Sequence, residues 1–176
     1  ATATMIPAFL DALALHDVTL VGNDTGGGLC LAALATGHAG LGRIGRLVLT
    51  NCDSYEHFPP KGFDRIAAIS RKVPLFGKAF LGFLSSKPGR KLFMKSVTVR
   101  TPAPGVADRV FGAFATSRAA RADALRTTQS LHPSVTLDAV DALRAFDRPV
   151  LLAWGDTDKL FPMAHAERLQ ADFPDA

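Results

Sequence analysis

The sequence is poor in cysteine, tryptophan and tyrosine, and it has no long apolar run. Its two cysteines, Cys30 and Cys52, form neither a metal-ligand pattern nor a disulfide framework, which favours a reducing compartment. No stretch approaches the roughly 20 apolar residues that span a bilayer, and residues 1–15 lack the basic start of a signal peptide. We therefore expect a cytoplasmic protein with no membrane partner.

Acidic residues are also scarce in one region, and this shortage bears on the choice of partner. Residues 61–100 contain ten Lys or Arg and a single acid, Asp64, in a chain whose formal net charge is +4. A basic face of this kind either attracts anionic substrates or is an ordinary solvated helix surface. Nucleic acid is not expected, because one Trp and one Tyr offer little surface for base stacking and no recognition motif is present.

Apolar residues are abundant, and along the chain they form short continuous runs that alternate with segments of helical spacing. With 48% hydrophobic and 20% charged residues, 176 residues can form one globular domain with a real core. Short continuous apolar runs predict strands at 18–21, 46–50 and 150–154, and helical spacing predicts helices at 6–15, 26–36 and 163–171. Strands that alternate with helices indicate a mostly parallel sheet and an α/β fold.

The middle of the chain has a different pattern. From 56 to 147 we find helical segments broken by prolines and no strand, so we predict a helical insertion between two core parts, 1–55 and 148–176. Its phenylalanines either line an apolar pocket or pack within the insertion itself. They are Phe58, Phe63, Phe76, Phe80, Phe83, Phe93, Phe111 and Phe114.

The most informative segment runs from Val18 to Gly28. An apolar strand leads into Gly22-Asn23-Asp24-Thr25-Gly26 and then into a helix. Small residues on both sides of a central side chain are typical of a nucleophile elbow, where a tight turn exposes that side chain. Asp24 holds the central position and is the candidate nucleophile. The alternative is that Asp24 caps the following helix.

With this elbow, a buried strand at 47–53 and a strand with its loop at 149–162, the chain resembles the α/β-hydrolase superfamily. Because Asp replaces the usual Ser, it is similar to the haloalkane dehalogenase and epoxide hydrolase branch. The resemblance implies a helical cap over the site at 56–147, a small-molecule substrate, and no metal or organic cofactor. It also assigns the catalytic acid to Asp158, with Asp53 or Glu56 as the alternative, whereas Asp156 serves the turn.

The resemblance also implies a two-step reaction. Asp24 attacks an electrophilic carbon to give a covalent alkyl-enzyme ester, which water activated by a histidine then hydrolyses. Thr25 N–H supplies one oxyanion donor. Thr25 stands where dehalogenases place a tryptophan, so the candidate halide ligands are Trp154, Asn23 or a residue of the cap. The alternative for Trp154 is a place in the core at the end of the sheet. Dehalogenation of haloalkanes or haloacids is favoured over epoxide hydrolysis, since the single tyrosine, Tyr55, lies at the entrance of the predicted cap.

The catalytic histidine has no counterpart at the family's position, after a strand that follows Asp158. The five histidines are His16, His38, His57, His132 and His165, and we expect His165 on a helix surface. No His-Gly segment precedes Val18 to supply a second oxyanion donor. The resemblance therefore implies a fragment of a hydrolase without turnover of its own. The alternative is a non-catalytic remnant or interaction module, and the sequence leaves the oligomeric state open.

Overall fold

The computed structural model describes residues 2–98 and 100–176, which form two compact units. The sheet unit comprises residues up to 61 together with 132–176, and the helical unit is Gly62–Leu131. The helical unit is narrower than the predicted insertion at 56–147. Residues on both flanks belong to the sheet unit because they pack there: Phe58 and Leu143 are buried, and the Thr136 hydroxyl donates to the Tyr55 carbonyl oxygen.

Among its described residues the sheet unit contains three parallel strands in the order β1-β2-β3, which confirms the predicted α/β class. The strands are β1 (Val18–Asp24), β2 (Ile44–Cys52) and β3 (Val150–Ala153). Val21 pairs with Val48, and Val48 pairs with Leu151. The carboxyl ends of parallel strands meet at one edge of a sheet, so Asp24, Asp53 and the loop after β3 all belong to that edge.

Ten helices follow in chain order within the described residues: α1 (Thr2–Ala12), α2 (Thr25–Leu34), α3 (Phe63–Lys72), α4 (Pro74–Ser85), α5 (Lys87–Val97), α6 (Val106–Thr116), α7 (Arg118–Ser130), α8 (Ser134–Leu137), α9 (Val140–Arg144) and α10 (Met163–Asp172). Two 3₁₀ turns lie at Ala39–Arg43 and Tyr55–His57. Helix α1 ends before the predicted residue 15, because Ala14 turns left-handed at φ 49°. Gly37, past the end of α2, has φ 64°, a conformation that suits glycine. None of the described helices is long and apolar enough to cross a bilayer.

The core of the sheet unit lies on one face of the sheet. Leu47 and Leu49 alternate along β2 and are fully buried with Leu31 of α2. Side chains on the other face remain open within the chain, with Val21 63% and Leu151 59% exposed. Cys30 and Cys52 are free and buried, as small core residues.

The helical unit is built from α3 to α7, and its described residues contain no strand, as predicted. Its phenylalanines contact one another: Phe93 lies 6.3 Å from Phe63 and 5.4 Å from Phe111, measured between ring centroids. Phe111 also lies 6.1 Å from Phe114. These edge-on contacts favour packing inside the unit for these four rings. The role of the unit as a cap stays a prediction.

Candidate active site

Asp24 lies at the junction of β1 and α2, as the elbow pattern predicts. It ends the strand, Thr25 begins the helix, and its backbone adopts φ 52° and ψ −133°. A residue with a side chain pays about 1–3 kcal/mol for such a conformation. The surrounding strand and helix enforce this strained turn, and the Asp24 side chain remains exposed.

The turn is tight because β1 and α2 approach each other at glycine. A Cβ atom on Gly27 would lie 2.3 Å from Cys52 Cβ, and one on Gly22 would lie 2.7 Å from Gly27 Cα. Neither contact is tolerated without movement of the backbone. Gly26, in contrast, has no neighbouring atom within 4 Å of such a Cβ. The small residues at 22 and 27 are therefore required by packing, whereas Gly26 is not.

This difference gives a stability prediction with a matched control. Gly27→Ala is expected to lower the free energy of unfolding by about 1–3 kcal/mol, because the added methyl group overpacks against Cys52. Gly26→Ala is expected to be neutral or to stabilise α2 by up to about 1 kcal/mol, since alanine favours helix. Urea unfolding of both variants measures the difference. Equal stability of the two variants would contradict the close approach.

Hydrogen bonds hold the Asp24 carboxylate near its own helix. Asp24 Oδ1 accepts from Thr25 N–H at 2.6 Å and from the Thr25 hydroxyl at 3.1 Å. Asp24 is thus an N-terminal cap of α2 and an exposed acid at the same time, so the two interpretations do not exclude each other. The neighbouring Asn23 amide donates to the Thr50 carbonyl and hydroxyl oxygens, at 3.2 and 2.9 Å, which ties it to β2.

A second carboxyl group, that of Asp53, is buried next to the elbow. Asp53 follows β2, its N–H donates to the Asp24 carbonyl oxygen at 3.3 Å, and its side chain is fully buried. Neither carboxyl oxygen has a hydrogen-bond partner in the described part of the chain. Burial raises the pKa of Asp53 to about 7, with a further upward contribution from the charge of Asp24, while the Thr25 side chain opposes the rise. Asp53 therefore retains a proton to near-neutral pH.

Asp158 is held firmly in the loop after β3. Its Oδ1 accepts from the N–H groups of Leu160 at 2.8 Å and Phe161 at 3.0 Å, and its Oδ2 accepts from the Asn51 amide at 2.8 Å. Three donors to one carboxylate fix its orientation. Asp156 is exposed in the same loop.

Asn51 is a site residue that the sequence analysis missed. Its Oδ1 accepts from Gly155 N–H at 2.8 Å while its amide nitrogen donates to Asp158, so one side chain joins β2 to the acid loop across more than 100 residues. Asn51 has φ 27°, and asparagine tolerates a positive φ better than most residues. The available signal was a polar residue near the end of β2, separated from Leu49 by one threonine. We infer that Asn51 positions Asp158.

The structure corrects the prediction for His165, which is buried rather than at the surface. Only 8% of its surface is exposed, its ring stacks on His57 at 4.3 Å, and its Nδ1 has no partner among the described residues. Burial lowers the pKa of His165, and the nearby His57 lowers it further. The reason for the difference is that α10 packs on the core through this side. No described histidine hydrogen-bonds to Asp24 or Asp158.

Two further candidates have their polar groups engaged elsewhere. The carboxylate of Glu56 accepts from Arg168 at 2.9 Å through both oxygens, so it forms a surface ion pair. The indole N–H of Trp154 donates to the Phe161 carbonyl oxygen at 2.8 Å, and the ring is partly buried against the core. Trp154 therefore closes the acid loop and has no free N–H for a halide. Among the described residues, no group of three or more acidic, His or Cys side chains could hold a metal ion.

Comparisons with known proteins show the family and the fold of the chain. The model of the alpha/beta hydrolase fold family matches residues 1–176. An α/β-hydrolase-fold protein from Burkholderia ambifaria is 18% identical, with a TM-score of 0.76 over 97% of this chain and 60% of its own. A haloalkane dehalogenase from Bradyrhizobium elkani is 18% identical, with a TM-score of 0.74 over 98% and 62%.

A serine hydrolase from Cycloclasticus zankles is 20% identical, with a TM-score of 0.56 over 96% of this chain and 56% of its own. No curated protein matches by sequence. The chain spans about 60% of the length of the hydrolases from Burkholderia and Bradyrhizobium. Similarity at these identities shows the fold alone. The similar structures include a haloalkane dehalogenase and a serine hydrolase, which are different kinds of enzyme. The match over the whole chain shows that it belongs to the α/β-hydrolase fold family.

Proposed function

We propose that this chain carries the nucleophile of a hydrolase that displaces halide from an alkyl carbon. The observation that supports the proposal most is Asp24 itself, an exposed carboxylate held at φ 52° between a strand and a helix. Strain at a single polar residue persists only where the surrounding structure enforces it, and such residues cluster at functional sites. The turn presents an acid where most nucleophile elbows present serine.

The proposed first step uses only this chain's own carboxylate. An Asp24 oxygen attacks the carbon, the carbon–halogen bond breaks with its electron pair, and halide leaves. A neutral alkyl ester of Asp24 remains. In the second step water adds to the ester carbonyl, a base takes the proton, and Asp24 is regenerated with release of the alcohol. Asp158, fixed by Asn51 and two backbone N–H groups, is the proposed acid that orients that base.

The two steps differ in what they require, and this difference shapes the expected behaviour. No described histidine hydrogen-bonds to Asp158, so within these residues no side chain is positioned as the base for the second step. The first step has no such requirement. We therefore expect this polypeptide to form the ester without completing turnover.

The choice of leaving group rests on Tyr55. Opening an epoxide needs an acid that protonates its oxygen, and the Tyr55 hydroxyl instead donates to Asp172 Oδ2 at 2.8 Å inside the core. Burial is the main cause of the raised pKa of Tyr55, and the hydrogen bond to Asp172 adds to it. An engaged, buried phenol is a poor proton donor to a substrate. Halide, which leaves without a proton, is therefore the favoured leaving group.

The test is covalent capture of a simple haloalkane. The 176-residue chain is incubated with 1-bromohexane, and intact mass and released bromide are measured together. We expect one hexyl group per chain, one bromide per chain, and the adduct on the peptide that contains Asp24. A hexyl group on any other residue would contradict the proposal, as would bromide release that continues beyond one equivalent without an adduct.

A second candidate is a non-catalytic module with the hydrolase fold. It is favoured by the N–H of Thr25, which donates to the Asp24 carboxylate at 2.6 Å, so the acid has a structural role as a helix cap. On this hypothesis the same incubation gives neither adduct nor bromide. The capture experiment therefore separates the two candidates in one measurement.

A further inference from the structure

The helical unit contains a cavity of about 560 Å³ between α5 and the segment that leads into α6. A cavity of this size is within the range of about 300–1,000 Å³ that small-molecule sites occupy. Five basic residues line it: Lys87, Arg90, Lys91, Lys95 and Arg100. The cavity uses none of the elbow or acid-loop residues.

The charge in this cavity is largely unbalanced. Lys87, Lys91 and Lys95 recur every four residues on α5 and therefore project from one side of the helix. Like charges at this spacing destabilise an isolated helix. The one acid in the lining, Asp108, pairs with Arg90 at 3.1 Å. The other four basic residues have no ion pair within the described part of the chain, so the cavity carries a net positive charge.

The start of α6 also lines this space. Gly105 precedes the helix at φ 80°, no side chain caps the first turn, and Asp108 lies in that turn. The N–H groups at a helix start carry the positive end of the helix dipole, which the Asp108 carboxylate offsets in part. Gly105 and Ala107 both line the cavity, so this helix end faces the same space as the lysines of α5.

Apolar surface lines the cavity beside the charges. Met94 of α5 lines it, as do Pro102, Ala103 and Pro104 of the segment that leads into α6. The methylene stems of lysine add further apolar surface below their ammonium groups. A ligand that matches both parts of the lining has an anionic head and a short apolar body.

We propose that this cavity of the helical unit binds a small amphipathic anion, with a carboxylate or phosphate head among Lys87, Lys91, Lys95 and Arg100. The apolar body of the ligand lies against Met94, Pro102 and Ala103. The proposal is independent of the reaction proposed for Asp24, because it involves separate residues on separate elements.

The experiment is calorimetric titration of the full chain with four probes of matched size or charge. Octanoate and octyl phosphate have an anionic head and an apolar body, 1-octanol has only the apolar body, and inorganic phosphate has only the charge. We expect the first two to bind at least about tenfold more tightly than the last two, since charge and apolar burial each contribute. Inorganic phosphate binding as tightly as octyl phosphate would overturn the amphipathic site.

Variants connect binding to the cavity. The double variant Lys91→Glu and Lys95→Glu is expected to weaken octanoate binding at least about tenfold, because it reverses two charges in the lining. The control double variant Lys72→Glu and Lys78→Glu makes the same change of net charge on exposed residues outside this lining and should bind as the parent does. Equal losses in both double variants would contradict the location.

Two further measurements complete the test. Ala103→Trp fills the cavity without a change of charge, and it should abolish octanoate binding even if the lysine variant does not fold. Retained binding in Ala103→Trp would overturn the proposal. Vesicles of a neutral lipid with and without anionic lipid distinguish a membrane headgroup from a free ligand. Binding to anionic vesicles without binding to octanoate would also overturn it.

Discussion

Asp24→Asn is expected to slow formation of the alkyl-enzyme ester by about 10³-fold or more, the scale of loss seen when a catalytic nucleophile is removed. The neutral amide keeps the size and shape of the carboxylate but lacks its negative charge. An amide is therefore a far weaker nucleophile towards an alkyl carbon. The rate of hexyl incorporation from 1-bromohexane, followed by intact mass, measures the effect.

Stability serves as the internal control for Asp24→Asn. Asparagine caps helices about as well as aspartate, so the bond from Thr25 N–H survives the change and the free energy of unfolding should stay within about 0.5 kcal/mol. Asp156→Asn removes an exposed acid from the loop after β3 and should leave the capture rate unchanged. If Asp24→Asn reacts as fast as the parent, Asp24 is not the nucleophile. A loss of stability with unchanged reactivity would point to the cap role alone.

The parts of the fold that follow from local sequence were predicted correctly. The three strands were identified because each is a short continuous apolar run, as in Leu47-Val48-Leu49, and the turn at Asp24 because glycines flank it. The limits of the helical unit were not predicted correctly. Residues on both flanks, such as Phe58 and Leu143, join the core of the sheet unit through contacts between segments some 80 residues apart, and no local pattern encodes such contacts.

The same distinction applies to the candidate site. Asp24 could be found because its signal lies within a few neighbouring residues. The role of Asn51 depends on a loop more than 100 residues away, and the burial of His165 depends on its ring contact with His57. Trp154 was a candidate ligand on residue type alone, and its bond to the Phe161 carbonyl becomes visible only when the loop is folded.

Asp53 is expected to make the stability of this protein fall as pH rises from about 4 to 7. The pKa of Asp53 is 3.8 in the unfolded chain and about 7 in the fold, so the unfolded chain releases this proton at a lower pH than the fold does. At each pH between the two values the fold either keeps Asp53 protonated or buries its charge. Both lower the free energy of unfolding. A shift of this size corresponds to at most about 4 kcal/mol, lost across that interval and constant above it.

Asp53→Asn removes this dependence, because the amide does not titrate. We expect the variant to gain stability relative to the parent by several kcal/mol between pH 4 and pH 8, measured by urea unfolding at both values. His165 acts in the opposite sense, since its lowered pKa destabilises the fold as pH falls below 6.5. That contribution is common to parent and variant, so it cancels in their difference.

If the difference is the same at both pH values, Asp53 does not keep its proton in the fold. A difference that grows with pH identifies Asp53 as a buried acid. The native packing around α2 and α8 offsets the free energy that its burial costs. The control variant Asp156→Asn changes an exposed position and should show no such growth.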